Sequence, residues 1–506
     1  MEKRTITAVV LSLVILLGWS FLQQKFFPQK PAPSKKAPVE AAAPVPAGPS
    51  PAPAPAALPE TTAGAASDVV VETDLYKAVF STGGAVIRSW ELKTYKDSKK
   101  MPVVLLKAPG VIPPLGMLFE GEDRGMPLKL IYETSAGKLV LSENNKRGEL
   151  VFTYSSGGMF IRKKFVFYND DFRTDISIET ANTPPYLLPV GTDFGVFDKQ
   201  QSEHKGPVVL ADTDRKEFDE KLKEKIYFTG NTRWIAQEDK YFTAALIPVD
   251  QIDGAVVWKE DASAEIALDV KQQKQDFIFY AGPKEYDRLK RLNRGLEHII
   301  DFGWFAFIAM PLFWVLKFFY EYLGNYGWAI ILVTIAVRVP FIPILNKSQQ
   351  SMKKLQKVQP LMNEIKEKYK KDPQRMQKEM MELYKKHKVN PVGGCLPMLL
   401  QIPVFIALYN VLGKAIELRG APFAFWITDL AVKDPYYVLP ITMGATMVLQ
   451  QKMTPSTMDP AQAKIMMFMP VIFTFMFLSF PSGLVLYWLV NNVLGIAQQY
   501  YINKKA

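Results

Sequence analysis

An arginine stands inside an apolar run, Trp328-Ala-Ile-Ile-Leu-Val-Thr-Ile-Ala-Val-Arg338-Val-Pro-Phe-Ile-Pro-Ile-Leu345. In hydrocarbon a guanidinium costs about 2.5–3.5 kcal/mol on insertion scales. Its pKa above about 12 closes the escape by deprotonation. The side chain must therefore meet a partner or a water-filled cavity, and its chemistry is electrostatic attraction of anions. A salt bridge to a buried acid is the alternative. No Asp or Glu lies inside any other apolar run to provide one. Thr334 precedes Arg338 by four residues, so the two share a helix face. Tyr487 and Asn491 share one face of a later run, and Trp488 and Asn492 share the next. Gln401 adds a polar group in a further run. For Thr334, Gln401 and Asn491 two readings stand open: polar lining of a path, or an interhelical hydrogen bond.

Covalent chemistry has little to work with. The single cysteine, Cys395, excludes an intrachain disulfide. The three histidines, His204, His298 and His387, are widely spaced. No metal-ligand spacing and no Ser/His/Asp arrangement stands out, so neither enzyme activity nor a cofactor is expected. The net charge of +11 comes without a nucleic-acid module, so DNA is not an expected partner. Basic loops that flank apolar runs are a topology signal instead.

The elements that must position Arg338 follow along the chain. Glu2-Lys3-Arg4 before Ile6–Trp19 reads as a signal sequence, and no small-x-small cleavage site lies close behind. An uncleaved anchor over 1–27 is expected, its basic end in the cytoplasm. Residues 28–67 are Pro/Ala-rich and read as an extended tether. From 68 to 283 the pattern has period two. Tyr76–Ser81, Ala85–Leu92, Phe160–Phe167, Asp175–Glu179 and Ala255–Trp258 read as strands, with turns at Gly83-Gly84, Gly157-Gly158 and Asn169-Asp170. An exported β-sandwich follows, either a sugar-binding or a plain interaction module.

Residues 284–326 form a linker holding the apolar stretch Phe302–Tyr320. Spans are expected at Gly327–Leu345, Cys395–Leu412, Tyr437–Gln450, Ile465–Phe480 and Leu484–Tyr501. If Phe302–Tyr320 also crossed, the loop 346–391 would lie outside. That loop carries Lys353, Lys354, Lys357, Lys366, Lys368, Lys370, Lys371, Arg375, Lys378, Lys385, Lys386 and Lys388, against the positive-inside rule. So Phe302–Tyr320 is expected to lie flat at the outer surface, with Lys317 and Glu321 towards water. Both termini are then cytoplasmic, as are Lys452, Lys464, Lys504 and Lys505. In the loop, Leu355, Val358, Met362, Ile365 and Tyr369 repeat at heptad spacing, and Met376, Met380, Leu383 and His387 resume it after Asp372-Pro373. An antiparallel helical hairpin results, bent or restarted at Pro360. Its Lys353, Lys354, Lys357, Arg375, Lys385 and Lys386 either dock an acidic or RNA surface or only fix topology. Segment 392–506 completes the spans. The expected fold is a polytopic α-helical membrane protein of six spans with a cytoplasmic hairpin and an interfacial helix, plus a large exported all-β domain.

Asn390-Pro-Val-Gly-Gly-Cys-Leu-Pro-Met-Leu-Leu-Gln-Ile-Pro403, Ala421–Leu430, Asp434–Pro440, Phe468–Thr474 and Phe480-Pro-Ser-Gly-Leu-Val-Leu-Tyr487 closely resemble the YidC/Oxa/Alb membrane protein insertases. The likeness covers roughly 301–503, and the anchor, tether and exported domain resemble the Gram-negative branch. It implies a β-supersandwich in the periplasm, an inner-membrane location and insertion or chaperoning of nascent membrane proteins. It implies work alone or with the Sec translocon, and contact of cytoplasmic loops with the ribosome and the targeting receptor. It places Arg338 in a hydrophilic groove open to cytoplasm and lipid, with Thr334 and the pair Tyr487-Trp488 along the substrate path. Trp488 stands where the family has tyrosine, which keeps an aromatic surface.

Two other classes compete. A small-molecule transporter could use Arg338 as an anion site, but no internal repeat is visible. A tethered carbohydrate enzyme lacks an evident catalytic carboxylate pair.

Overall fold

The computed structural model describes residues 65–506 except 98–99, 107–111, 122–123, 193, 196–203, 220, 261–262, 388, 390–395, 454–459 and 506. The expected anchor and nearly all of the tether lie outside the described residues, as do Cys395 and Lys388.

Three sheets build the first part, of five, nine and five strands. The period-two pattern translates directly into burial. In Arg173–Ala181 the side chains of Thr174, Ile176, Ile178 and Thr180 face inward and their neighbours do not. That strand pairs antiparallel with Met159–Tyr168 on one side and with Lys274–Pro283, the central strand of the nine-stranded sheet, on the other. The first five-stranded sheet packs on this half through Phe80, which meets Phe152, Phe165 and Phe167 at 5.2–6.1 Å between ring centres. The third sheet covers the other half, where Gln237 Nε2 donates to the Ala264 carbonyl at 3.0 Å. One inward position is a charge. Lys163 is fully buried and its Nζ donates to the carbonyls of Gly84, Ala85 and Leu115 at 3.0, 3.2 and 2.9 Å. Burial pushes its ammonium down to about 7.

The second part is helical: α1 Ala306–Leu323, α2 Tyr326–Arg338, α3 Ile342–Lys368, α4 Pro373–Lys386, α5 Leu396–Lys414, α6 Val438–Met453, α7 Pro460–Phe477 and α8 Ser482–Lys505. Gly324, at φ 61°, ends α1 in the left-handed region open to glycine. Asn325 then caps α2, its Oδ1 accepting from the Gly327 and Trp328 amides at 2.9 and 3.2 Å. Tyr320 and Tyr326 stack across this turn at 3.8 Å. Helix α2 does not stop where the apolar run ends. A 3₁₀ turn at Val339–Phe341, with Pro340 inside it and Pro343 just after it, leads straight into α3, so Tyr326–Lys368 is one continuous helical stretch. The expected end of the span at Leu345 and the expected start of the hairpin at Asn346 both fall within α3. Pro360 does not interrupt α3. It lies on the exposed face, where water can satisfy the carbonyl it leaves free.

Asp372 caps α4, accepting from the Arg375 amide at 3.1 Å. The two arms pack through Leu355, Val358 and Met362 against Met380, Leu383 and Tyr384, with Val389 closing the seam. His387, expected in that seam, is exposed, and Tyr384 fills the place. Ile441, Val448 and Leu449 of α6 and Met467, Phe468, Ile472 and Phe475 of α7 are exposed apolar residues. A surface of this kind suits lipid rather than water.

Charges tie the first part to the linker and to the helices. Glu238 is buried between Lys284 at 2.6 Å and Arg215 at 2.7 Å. Arg419, after α5, lies over the rings of Tyr241 and Phe242 and donates to the Lys96 carbonyl at 3.2 Å. Lys317 of α1, expected towards water, is partly exposed. It pairs with Asp287 of the linker, whose short helix Tyr286–Arg291 packs its Tyr286 against Phe313.

Candidate functional site

Arg338 ends α2 where the prolines begin, so its side chain meets the neighbouring α8. Its Nη1 donates to the Asn491 carbonyl at 2.9 Å and to Asn491 Oδ1. Its Nη2 donates to Gln498 Oε1 at 3.3 Å, and Gln498 Nε2 donates on to Asn346 Oδ1 at 2.8 Å. Among the described residues no carboxylate pairs with Arg338. The salt-bridge alternative therefore finds no partner there.

Arg338, Thr334, Gln401, Tyr487 and Asn491 line one cavity of about 40 Å³ together with Val337, Phe341, Leu345, Leu400 and Val404. A water needs about 10–15 Å³ of such space, so the cavity admits water beside the guanidinium. Thr334 is buried and its hydroxyl donates back to the Ile330 carbonyl at 2.7 Å, the local bond of a threonine inside a helix. Gln401 and Arg338 are the polar neighbours of the Tyr487 hydroxyl. Polar groups continue from Arg338 towards the hairpin through Gln498 and Asn346. Ile330 of α2 and Leu484 of α8, further along the same helices, are buried, as is Leu430.

Trp488 is set apart from this group. It lies one residue past Tyr487, hence about 100° around the helix. It packs in an aromatic cluster with Phe405 at 4.7 Å, Phe477 at 5.1 Å and Phe473 at 6.0 Å. Lys353, counted among docking residues, donates instead to the Ile502 carbonyl at 3.0 Å. Lys354, Lys357, Arg375, Lys385 and Lys386 are exposed, and Arg375 lies 5.2 Å over the Tyr369 ring.

Three residues at the site escape sequence reasoning. Gln498 and Asn346 complete the hold on Arg338, yet in sequence each reads as an ordinary polar residue near a span end. Gly495 lets α8 approach: a Cβ there would lie 3.2 Å from Arg338 Nη2 and 2.7 Å from Gln450 Nε2. Its spacing of four from Asn491 was the available signal.

Comparison with known proteins bears on the whole chain. The family model described as 60Kd inner membrane protein matches residues 318–506, and the one described as YidC periplasmic domain matches 68–315. The membrane protein insertase YidC of Geotalea daltonii is 42% identical over 536 residues, covering 100% of this chain and 99% of that protein. That of Geotalea uraniireducens is 43% identical over 527 residues, with the same coverage. A solved structure of an active YidC insertase with its first transmembrane domain resolved is 19% identical, with a TM-score of 0.39, over 86% of this chain and 92% of that one. On the strength of the full-length relatives, the chain belongs to the YidC family of membrane protein insertases, inner-membrane proteins with a periplasmic domain.

Proposed function

We propose that this insertase works through the wet space around Arg338, and that the guanidinium transiently attracts the acidic exported tail of a nascent span. The observation that carries this reading is the set of neutral partners around Arg338 beside a cavity that admits water. No covalent step is needed. The slow event is moving polar flanks across hydrocarbon, and a groove with water inside shortens the dry distance. Thr334, Gln401, Tyr487 and Asn491 line the path, and Trp488 with its aromatic neighbours offers an apolar surface beside it for the incoming helix.

The surrounding architecture is read as six spans, the anchor included, with both termini cytoplasmic and the β-domain, a supersandwich, in the periplasm. Helix α1 lies at the periplasmic surface. Its support is a face of exposed aromatics, Phe307, Trp314, Phe318 and Tyr322, opposite buried Ala309, Leu312, Phe313 and Leu316. The hairpin, with Lys354, Lys357, Arg375, Lys385 and Lys386, faces the ribosome and the targeting receptor, and the Sec translocon shares part of the substrate load.

Depletion of the protein in cells that express a test substrate of one or two spans tests this reading against a transporter. Insertion should fail while solute uptake continues. Lost uptake with normal insertion would sink it.

A further inference from the structure

Among the described residues, Arg338 is bound through amide and carbonyl oxygens. Asn491 supplies two acceptors to Nη1 and Gln498 one to Nη2, and Gln498 is itself steadied by Asn346. Hydrogen bonds from a charged donor offset much of the desolvation cost of burying it. A carboxylate in either place would hold the fork at least as firmly. It would also cancel the charge. The sequence places amides there, and Gly495 keeps the space that lets them reach the fork.

We propose that the neutrality of this seat is a specificity device: Asn491 and Gln498 fix Arg338 without discharging it, and so set the preference for acidic over neutral substrate tails. The inference rests on the reading of Arg338 as an attractor of tails. Gln498 then acts through Arg338, as a residue that determines specificity.

The test uses the full-length protein in proteoliposomes and two single-span substrates that differ only in the acidic residues of the exported tail. Gln498→Glu is nearly isosteric and places a carboxylate beside Nη2, and Asn346 can turn its amide to donate to it. Its abundance and thermal stability should match or exceed those of the parent. Its acidic-to-neutral insertion ratio should fall about tenfold, to the level of Arg338→Ala, as expected on losing a close charge attraction. Gln498→Met, apolar and of similar volume, should keep the ratio within about twofold, because the charge stays. Asn491→Asp repeats the test at Nη1 and decides the matter where Gln498→Glu does not accumulate. An unchanged ratio in the carboxylate variants overturns the proposal. So does an equal loss in Gln498→Met, which would make the role one of geometry alone. A ratio unmoved in Arg338→Ala overturns the tail-attraction reading itself, and the proposal with it.

Discussion

Lys353 Nζ reaches the carbonyl oxygen of Ile502 at 3.0 Å, so the first arm of the hairpin caps the C-terminal end of the last helix. The last turn of a helix carries unsatisfied carbonyls and a partial negative charge, and a lysine there serves both. A residue that reads in sequence as a docking cation is thus tied within the fold.

Lys353 should therefore behave differently from the exposed cations of the hairpin. Lys353→Ala should raise protease sensitivity at the C-terminus and at the hairpin base, and leave the salt dependence of ribosome binding unchanged. Reversing Lys354, Lys357, Lys385 and Lys386 to Glu should weaken that binding and flatten its salt dependence. Sedimentation with ribosomes across a salt series, beside limited proteolysis, checks both.

Arg338→Lys should retain substantial insertion, since a positive point charge remains without the planar fork. Arg338→Ala should lose insertion of substrates with acidic tails by about tenfold while protein abundance holds. Neutral-tailed substrates should suffer less. A uniform defect that tracks lost protein would contradict the charge mechanism.

Topology is open to direct reporting. A reporter fused after Lys371 should read cytoplasmic, and one after Lys284 should read exported. A cytoplasmic result after Lys284 would remove the argument for α1 as an interfacial helix.

Removal of most of Asp68–Gln275 should reduce insertion only modestly, because the residues around Arg338 come from α2, α3, the turn between them, α5 and α8. Cuts into Lys284–Leu323 should do more harm. There Asn410 Nδ2 and Lys414 Nζ of α5 donate to the Phe302 and Asp301 carbonyls, so the linker is bonded to the helical core. Complementation of a depletion strain by the two truncations separates them.

Glu417, in the short turn after α5, sits near Lys317, Glu285 and Tyr326. Burial pushes its carboxyl up to about 7, against the pull of Lys317. The folded protein thus holds this proton more tightly than the unfolded chain does. Linkage then makes the contribution most favourable below the unfolded carboxylate pKa of about 4.3, and it is lost as pH rises to about 7. Glu417→Gln, which cannot ionise, should raise the thermal midpoint at pH 8, and the gain should shrink towards pH 5. A gain independent of pH would contradict the assignment.

Strands and hairpin arms were legible because their burial repeats within a few residues, as in Arg173–Ala181 and Leu355–Met362. Arg338 was legible because charge in an apolar run is costly wherever it falls. Its partners were not, since Asn491 and Gln498 lie 153 and 160 residues away, and a spacing rule reaches only along one helix. Lys163 was hidden for a related reason. In Arg162-Lys163-Lys164 three cations follow one another; alternation puts Lys163 on the face of Ile161 and Phe165, but its partners, the carbonyls of Gly84, Ala85 and Leu115, lie far along the chain. Trp488 shows the limit of reading an adjacent pair as one surface.

The unbroken run from Tyr326 to Lys368 has a mechanical meaning. At about 1.5 Å per residue its 43 residues form a rod of about 65 Å. The 3₁₀ turn beside Arg338 divides it at roughly one third of its length, and there the two prolines weaken the ladder of hydrogen bonds. Bending of this run is therefore easiest beside the charge, between the short arm α2 and the long arm α3 that carries the basic hairpin.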